Sequence, residues 1–408
     1  MVIKVSNWSD QEEQARFNTP SLLTFPASQS KTMQEKNMTT NNSTLFSKTS
    51  IGPIELEHRV VMAPLTRLRS EMPGDIPGAL MLEYYTQRAS QGGLIISEAA
   101  TISSTARGYY GAPGIYSKDQ VAGWRRITDA IHAKGGRIFL QLWHVGRTSH
   151  VDMSGGAIPV GPSVVPYEGV AFTPGGWVPV TPNRALEVSE IPALLDDYTR
   201  AAQNAADAGF DGVELHSGNG YLLDQFLQDG SNQRTDEYGG STENRARLLL
   251  QVVEAVAKVW DRSRIGVRIS PATKFNGMSD SNPEATSTYV AQQLERAGIA
   301  FIHIIEPRIN GSQAVEDGLP PVAAALIRKH FTRTIIAAGG FESDTAEEII
   351  QSGDADLVAF GRHFIANPDL PLRYKLGVPL NPYDRSTFYG GTEKGYTDYP
   401  AYEEVAAV

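Results

Sequence analysis

The chain has 408 residues, 41% of them hydrophobic, and its formal net charge is −10. Such an acidic chain lacks the basic surface that binds a phosphate backbone, so the composition argues against a nucleic-acid partner. Without a single cysteine it cannot form disulfides, iron–sulfur clusters or cysteine zinc sites, and no apolar run reaches the roughly 18 residues of a membrane span.

Residues 1–45 form a polar segment in which no helical or strand period persists, and we predict a disordered arm. The segment lacks the basic-then-apolar order of a signal peptide. Met38 near its end is compatible with an over-extended start, whereas acidic Asp10, Glu12 and Glu13 interrupt an amphipathic targeting peptide. The role of the arm stays open, and the protein is expected to be cytoplasmic.

Through the rest of the chain, short apolar runs alternate with longer amphipathic runs. The strand candidates are Val60 to Ala63, Leu94 to Ser97, Arg137 to Leu142, Gly212 to Leu215, Ile265 to Ile269, Phe301 to Ile305, Thr334 to Ala338 and Leu357 to Phe360. The helical patterns between them, several with capping residues, include Asp119 to Lys134, Ser189 to Ala208, Asn244 to Trp260, Glu284 to Ala297 and Ser343 to Gln351. This alternation predicts one (β/α)8 TIM barrel in residues 46–408.

Before the first strand, Phe46 to Thr49 and Ile54 to Glu57 are joined through Gly52-Pro53 in the pattern of a β-hairpin. We expect this hairpin to be structural and to close the bottom of the barrel. The alternative topology is a doubly wound open sheet, but no strand is followed by the G-x-G-x-x-G of a dinucleotide site. The barrel is therefore favoured.

A long segment, His144 to Glu187, separates the third strand from its helix and is rich in Gly and Pro. Connections of this length are usually functional or disordered. In a barrel this one lies on the carboxyl-terminal face, where active sites are built. It is expected to be a lid that covers a substrate.

Side chains at the carboxyl ends of barrel strands are disproportionately catalytic. Polar residues at these positions are Thr66, Glu98, Gln141, His144, Glu214, His216 and Arg268. Taken singly, each has a structural explanation, because a Gln or Arg inside a barrel often satisfies buried backbone groups or a carboxylate.

Glycines follow the last two strands, as Gly339-Gly340 and Gly361-Arg362, where barrels commonly bind a phosphate. Glycines let backbone N–H groups approach an anion, and Arg362 adds a planar, permanently charged guanidinium. The pattern predicts a phosphate site without identifying the molecule that carries the phosphate. The alternative is that these residues only form tight turns.

Arg268 alternates with Val267 and Ile269 on the fifth strand, so its guanidinium is expected to point into the barrel mouth. A buried cation needs an anion, and a reduced flavin carries negative charge near N1 and the C2 carbonyl. Gln141 offers a donor and an acceptor to the flavin pyrimidine edge, and Thr66 offers a donor to the C4 carbonyl. These three residues are compatible with a flavin.

The most specific pattern is His216-Ser217-Gly218-Asn219-Gly220-Tyr221, in which glycines allow a sharp turn after the fourth strand. His216 and Asn219 can bind a carbonyl oxygen and stabilise enolate charge, and Tyr221 can protonate the neighbouring carbon. The alternatives are a metal site or the start of a packed helix. No further ligands at familiar spacing accompany His216, which argues against a metal.

The chain resembles the Old Yellow Enzyme family of flavin-dependent alkene reductases from Phe46 to Pro400. The motifs that carry the resemblance are Ala63-Pro64-Leu65-Thr66-Arg67, Ile96-Ser97-Glu98-Ala99, Gly111-Ala112-Pro113-Gly114-Ile115, Gln141-Leu142-Trp143-His144 with Gly146-Arg147, His216 to Leu227, Arg234 to Ser241 with Glu243-Asn244-Arg245, Val267 to Pro271, and Gly395 to Pro400.

The resemblance implies a barrel with non-covalent FMN that is reduced by NADPH or NADH. The implied cofactor-binding residues are Ala63, Pro64, Leu65, Thr66, Ala99, Gln141 and Arg268 at the isoalloxazine ring, and Ala338, Gly339, Gly340, Gly361 and Arg362 at the phosphate end. The implied substrate-binding residues are Tyr109, Trp143, His216, Asn219, Phe388 and Tyr389. Tyr221 matches the family's proton donor.

Two features place the chain within the family. Position 219 is Asn, where several plant and enterobacterial relatives have a second His. Thr66 and the lack of cysteine argue against the subgroup with a cysteine beside the flavin, and the lack of cysteine also argues against dienoyl-CoA reductases with an iron–sulfur cluster.

The expected activity is ene reduction, in which FMN passes hydride to the β-carbon of an enone, enal, maleimide or nitroalkene. Two alternatives stay open: an FMN barrel dehydrogenase that oxidises an amine or dihydroorotate, and an inactive flavin-binding sensor that holds phenolic ligands. The expected partners are small molecules, with no nucleic acid and no membrane, and the protein is expected to be a monomer or homodimer.

Overall fold

The computed structural model describes residues 43–271, 273–307, 309–310, 313–314 and 323–403. The predicted arm lies outside these residues except at its last three positions, Ser43, Thr44 and Leu45. There the Ser43 hydroxyl and the backbone N–H groups of Thr44 and Leu45 donate to the Glu347 carboxylate. Leu45 is fully buried, so the folded domain begins slightly before the predicted boundary at Phe46.

Eight parallel strands close a barrel, which confirms the predicted fold class. They are β1 (Val60–Met62), β2 (Leu94–Ile96), β3 (Arg137–Trp143), β4 (Gly212–Ser217), β5 (Ile265–Ile269), β6 (Phe301–Ile305), β7 (Thr334–Ala338) and β8 (Leu357–Phe360). Each strand pairs with the next, and β8 pairs with β1. The open-sheet alternative is wrong, because this last pairing leaves the barrel without an edge.

The helices pack around the barrel in the predicted alternation. They are α1 (Ala79–Arg88), α2 (Lys118–Ala133), α3 (Ile191–Asp207), α4 (Leu222–Leu227), α5 (Thr242–Val256), α6 (Pro283–Ala297), α7 (Ala323–Arg328), α8 (Ser343–Gln351), α9 (Arg362–Ala366) and α10 (Leu370–Leu376). Short 3₁₀ turns lie at Thr44–Phe46, Ser104–Ala106, Val151–Met153, Val188–Glu190, Arg262–Arg264, Phe275–Gly277 and Arg385–Thr387.

Side-chain caps explain where several helices begin. Ser117, Ser241 and Asn282 accept a backbone N–H from the first turn of α2, α5 and α6, respectively. Each cap satisfies a donor that the first helical turn leaves without a partner.

Apolar side chains fill the lower half of the barrel. The rings of Phe139 and Phe301 lie 5.6 Å apart there, and a side chain at Gly266 would overlap the Phe301 ring. The hairpin pairs Thr49–Ile51 with Ile54–Leu56, so its first strand starts at Thr49, where the predicted run Phe46 to Thr49 ends. It contributes three buried residues to the same cluster. The hairpin therefore closes the bottom of the barrel, as expected from the sequence, and leaves the other end for a site.

The long segment after β3 contains a hairpin, Val170–Thr173 paired with Gly176–Pro179, which we call the cap hairpin. Shorter strands are Ala100–Thr101, which pairs with β3, Val160–Gly161 with Arg184–Ala185, and Ile309–Asn310 with Gln313–Ala314. Among the described residues, none of the helices is both long enough and apolar enough to span a membrane.

Candidate active site

A cavity of about 550 Å³ opens at the carboxyl end of the barrel strands. The predicted site residues that line it are Ala63, Pro64, Leu65, Thr66, Tyr109, Gln141, Trp143, His216, Asn219, Tyr221, Arg268, Ala338, Gly339, Gly340, Gly361, Arg362, Phe388 and Tyr389. They come from the ends of six strands, from the loop after β2 and from the C-terminal segment. The structure thus brings together side chains that lie more than 300 positions apart in the chain, such as Ala63 and Phe388.

Ala99 differs from the other predicted cofactor residues. It is buried in a cluster with Leu68, Trp143 and Tyr221, and it is not among the described residues that line the cavity. Three strand-end candidates, Glu98, His144 and Glu214, also lie outside the cavity wall. Glu98 accepts the Arg67 backbone N–H, and His144 Nδ1 accepts a backbone N–H two residues along the chain, so both have structural partners.

The turn after β4 holds Asn219 in a left-handed conformation, with φ of 56°. Asn tolerates this region better than most residues. The Asn219 N–H donates to Ser270 Oγ at 2.7 Å, and the Asn219 carbonyl accepts from Asn276 Nδ2 at 2.9 Å. The next N–H, that of Gly220, donates to the Asp224 carboxylate at 2.8 Å. The backbone of the turn is therefore fixed on both sides.

Tyr221 is enclosed by other rings. Its ring centroid lies 4.8 Å from Trp143 and 5.1 Å from His216, with both pairs tilted edge to face. Tyr109 stacks on Trp143 at 5.5 Å, and the Tyr221 hydroxyl donates to the Tyr109 hydroxyl at 3.4 Å. These contacts hold the phenol in one place at the cavity wall.

Burial sets the protonation states of this pair. It lowers the pKa of His216 well below 6.5, and the positive charge of Arg268 adds to the effect. Burial also raises the pKa of Tyr221 above its usual value. A neutral imidazole beside a protonated phenol presents hydrogen-bond donors without a charge that would need a counter-ion.

Arg268 carries the positive charge at the inner end of the cavity. Its side chain is buried, and burial lowers its pKa to about 10, so it stays protonated at neutral pH. Its Nε is buried and has no partner among the described residues. A buried donor without a partner is costly. The guanidinium is therefore suited to an acceptor group on a ligand.

At the other end of the cavity, glycines leave the backbone exposed to a ligand. Gly339 has φ of 124°, and a Cβ at this position would approach the backbone and Cβ of Glu306 within 3.1–3.4 Å. Neighbouring Gly340 also has a positive φ, and Arg362 follows Gly361 on the cavity wall. With Arg268 at one end and this glycine–arginine group at the other, the wall fits a long ligand with an anionic end such as FMN.

The C-terminal segment reaches the cavity through buried hydrogen bonds of Arg67. Arg67 Nε donates to the Phe388 carbonyl and Nη2 to the Gly395 carbonyl, each at 2.8 Å. The rings of Tyr84 and Tyr396 stack 4.0 Å apart, and the Arg67 guanidinium lies 5.0 Å from the Tyr396 ring centroid. This network holds Phe388 at the mouth and gives the Gly395 to Pro400 motif a structural role.

The cap hairpin borders the mouth of the cavity. Trp177 is 51% exposed, and its ring centroid lies 6.1 Å from Tyr109 and 6.2 Å from Tyr389. The Tyr110 N–H donates to the Phe172 carbonyl, which ties the hairpin to the loop after β2. The hairpin thus lies where the predicted lid would be, and its role in covering a substrate stays a prediction.

Several residues at the site were not anticipated. Asn276 and Ser270, which both follow β5, form hydrogen bonds with the backbone of Asn219. They lie 57 and 51 residues from Asn219 in the sequence. The Asn276-Gly277 pair predicts a local turn, but this pattern does not predict a contact with the turn after β4. Glu168, which leads into the cap hairpin, also lines the cavity.

Comparisons with known proteins show the family of the chain. Residues 44–381 match the NADH:flavin oxidoreductase / NADH oxidase family. The 12-oxophytodienoate reductase 1 of Oryza sativa subsp. japonica is 47% identical over 368 residues, 88% of this chain and 94% of that protein. A solved structure of morphinone reductase in complex with tetrahydroNAD has a TM-score of 0.83 and 47% identity, covering 89% of this chain and 99% of that one. A solved structure of the old yellow enzyme homologue of Zymomonas mobilis has a TM-score of 0.82 and 43% identity, covering 87% of this chain and 99% of that one.

Proposed function

The chain belongs to the NADH:flavin oxidoreductase / NADH oxidase family as an Old Yellow Enzyme, and from this premise we propose that it is an FMN-dependent ene-reductase. FMN, when bound, supplies a hydride acceptor for NAD(P)H and a hydride donor for the β-carbon of an activated alkene. The proposed substrates are enones, enals, maleimides and nitroalkenes, and phenolic ligands would occupy the same cavity.

The observation that carries the proposal is the group formed by His216, Asn219 and Tyr221. His216 and Asn219 donate to the carbonyl oxygen of the substrate, which polarises the conjugated bond and stabilises enolate charge. Tyr221 holds its proton until a carbanion forms and then protonates the α-carbon. The turn contacts of Asn219 and the enclosure of the Tyr221 ring fix these donors in advance of binding.

The residues that would hold FMN lie on the same wall. Arg268 and Gln141 would bind the pyrimidine edge of the ring, Thr66 would donate to the C4 carbonyl, and Gly340 and Arg362 would bind the phosphate. NADPH or NADH serves as reductant, and the tetrahydroNAD complex of morphinone reductase supports access of a nicotinamide to such a cavity. Dehydrogenation of an amine uses no carbonyl oxygen, so this donor group favours the ene-reductase.

The test of the proposal is the cofactor of the purified protein. We expect a yellow protein whose flavin is FMN and whose absorbance is bleached anaerobically by NADPH or NADH. A colourless protein that takes up no added FMN would contradict the proposal. Bleaching by an amine or dihydroorotate, without reoxidation by an enone, would favour the dehydrogenase instead.

Replacing Arg362 with Gln is expected to weaken FMN binding by about ten- to a hundredfold, because a hydrogen bond to a charged group contributes about 1.5–3 kcal/mol. Titration of the apoprotein by flavin fluorescence measures the dissociation constant. Riboflavin, which has no phosphate, is the control ligand, and its affinity should be the same in both proteins. An equal loss of affinity for riboflavin would contradict a phosphate role for Arg362.

The rate of alkene reduction is expected to fall severalfold as the pH drops through about 7, the value to which burial raises the pKa of Asp224. The ionised carboxylate is the stronger acceptor for the Gly220 N–H, so protonation loosens the turn that carries Asn219. The pKa values of His216 and Tyr221 are shifted away from this range, so neither explains an inflection there.

Asp224→Asn is the matched variant, because the amide stays uncharged at every pH and should remove the inflection. Burial also raises the pKa of Glu98 to about 7. An inflection that persists in Asp224→Asn would assign the pH dependence to Glu98 or another group and contradict the role of Asp224.

A further inference from the structure

Gln141, Glu214 and His303 meet inside the barrel, where Gln141 lines the cavity and the other two lie behind it. Glu214 and His303 are both fully buried, on β4 and β6. Gln141 Nε2 donates to one carboxylate oxygen of Glu214 at 2.7 Å, and His303 Nδ1 lies 2.7 Å from the other. An ionised carboxylate only accepts hydrogen bonds, so both neighbours act as donors. The proposed ene-reductase chemistry uses neither Glu214 nor His303.

The contact with Glu214 fixes the direction of the Gln141 amide. The carboxylate holds the NH2 end of the amide through one of its two N–H groups, so the carbonyl oxygen is the acceptor that Gln141 keeps for a ligand. Gln141 lines the cavity together with His216 and Arg268. It can therefore accept a hydrogen bond from a ligand N–H, such as the imide N–H of a flavin ring.

The Glu214 carboxylate also acts electrostatically on the guanidinium of Arg268. Arg268 is the register partner of His216 on β4 and of His303 on β6, and Glu214 lies two residues before His216 on the inward face of β4. No described carboxylate forms an ion pair with Arg268. Burial lowers the pKa of His303, which is thus neutral, and Glu214 is the anion whose field acts on Arg268. Water does not screen charges placed in such an interior.

We propose, on the basis of the ene-reductase function above, that Glu214 is a positioning residue that orients Gln141 and lowers the reduction potential of bound FMN. The reduced ring carries negative charge near N1 and the C2 carbonyl. Arg268 stabilises this charge and the Glu214 carboxylate opposes it. Removing the carboxylate therefore makes bound FMN easier to reduce.

The test is Glu214→Gln in the FMN-loaded protein, with the reduction potential measured by equilibrium against a reference dye. Gln keeps the size and an acceptor for Gln141 but has no charge. We expect the equilibrium to shift at least about tenfold toward reduced FMN, which is about 30 mV for a two-electron couple. His303→Gln is the matched control, because it exchanges one neutral donor for another and should shift the equilibrium less than about twofold.

An unchanged or lower potential in FMN-loaded Glu214→Gln would overturn the inference, as would an equal shift in His303→Gln. If Glu214→Gln does not fold, the double variant Glu214→Leu/His303→Leu replaces the pair with apolar side chains and should show the same upward shift. Wild-type protein that binds no FMN would overturn the proposed function together with this inference. If wild-type protein binds FMN, and the bound flavin is reduced and reoxidised, a failed prediction for Glu214→Gln contradicts only the role of Glu214.

Discussion

Tyr221→Phe is expected to slow the alkene-reducing half-reaction by about 10²- to 10⁴-fold, the usual contribution of a positioned general acid. Phenylalanine keeps the ring that packs on Trp143 and His216 and removes only the hydroxyl. Flavin reduction by NADPH needs no proton from this phenol, so its rate should stay within about twofold of wild type. Stopped-flow absorbance of the flavin measures each half-reaction separately.

Tyr109→Phe is the matched control for this result. It removes the hydroxyl that accepts from Tyr221 at 3.4 Å and leaves the proton donor in place. A contact of that length is weak, so we expect a loss of less than about tenfold. Equal slowing of both half-reactions in Tyr221→Phe, or a larger loss in Tyr109→Phe, would contradict the proton-donor role of Tyr221.

His216→Ala is expected to reduce the rate of enone reduction by about 10²- to 10³-fold, the effect of removing one donor to a developing oxyanion. The imidazole is neutral and buried, and its Nδ1 has no partner among the described residues, so no contact of that atom within the protein is lost. The loss would therefore reflect the missing bond to the substrate carbonyl and the missing ring contact with Tyr221. Single-turnover reoxidation of reduced enzyme by cyclohexenone measures it.

Asn219→His is the companion variant, because it exchanges one donor for another at a position where His also tolerates a positive φ. It should keep the rate within about tenfold of wild type, whereas Asn219→Ala should lose as much as His216→Ala. If His216→Ala and wild type reduced the enone equally fast, the carbonyl-binding role would be wrong.

The barrel could be predicted from the sequence because its signals are local. The runs Ile265–Ile269, Phe301–Ile305 and Thr334–Ala338 are strands with the predicted bounds, since buried parallel strands are continuous apolar runs. Helix ends were less predictable. The helix predicted to reach Trp260 ends at Val256, and the Trp260 indole N–H instead donates to the Ala202 carbonyl. That bond depends on the packing of α3, which a local sequence pattern does not predict.

The sequence likewise predicted some parts of the candidate site and not others. His216, Arg268 and Gln141 could be placed in one cavity because strand ends of a closed barrel share one face. The contact of Asn276 with Asn219 and that of His303 with Glu214 join residues 57 and 89 positions apart, so they needed the three-dimensional pairing. The assignment of Ala99 to the flavin ring came from resemblance alone.

Anaerobic reoxidation of the reduced protein tests the central claim most directly. The protein, reduced by NADPH or NADH and freed of excess reductant, is mixed with cyclohexenone, and flavin absorbance and product are followed together. We predict that the oxidised flavin spectrum returns with formation of one equivalent of cyclohexanone. A reduced flavin that stays bleached in the presence of enones, maleimides and nitroalkenes would contradict the ene-reductase assignment.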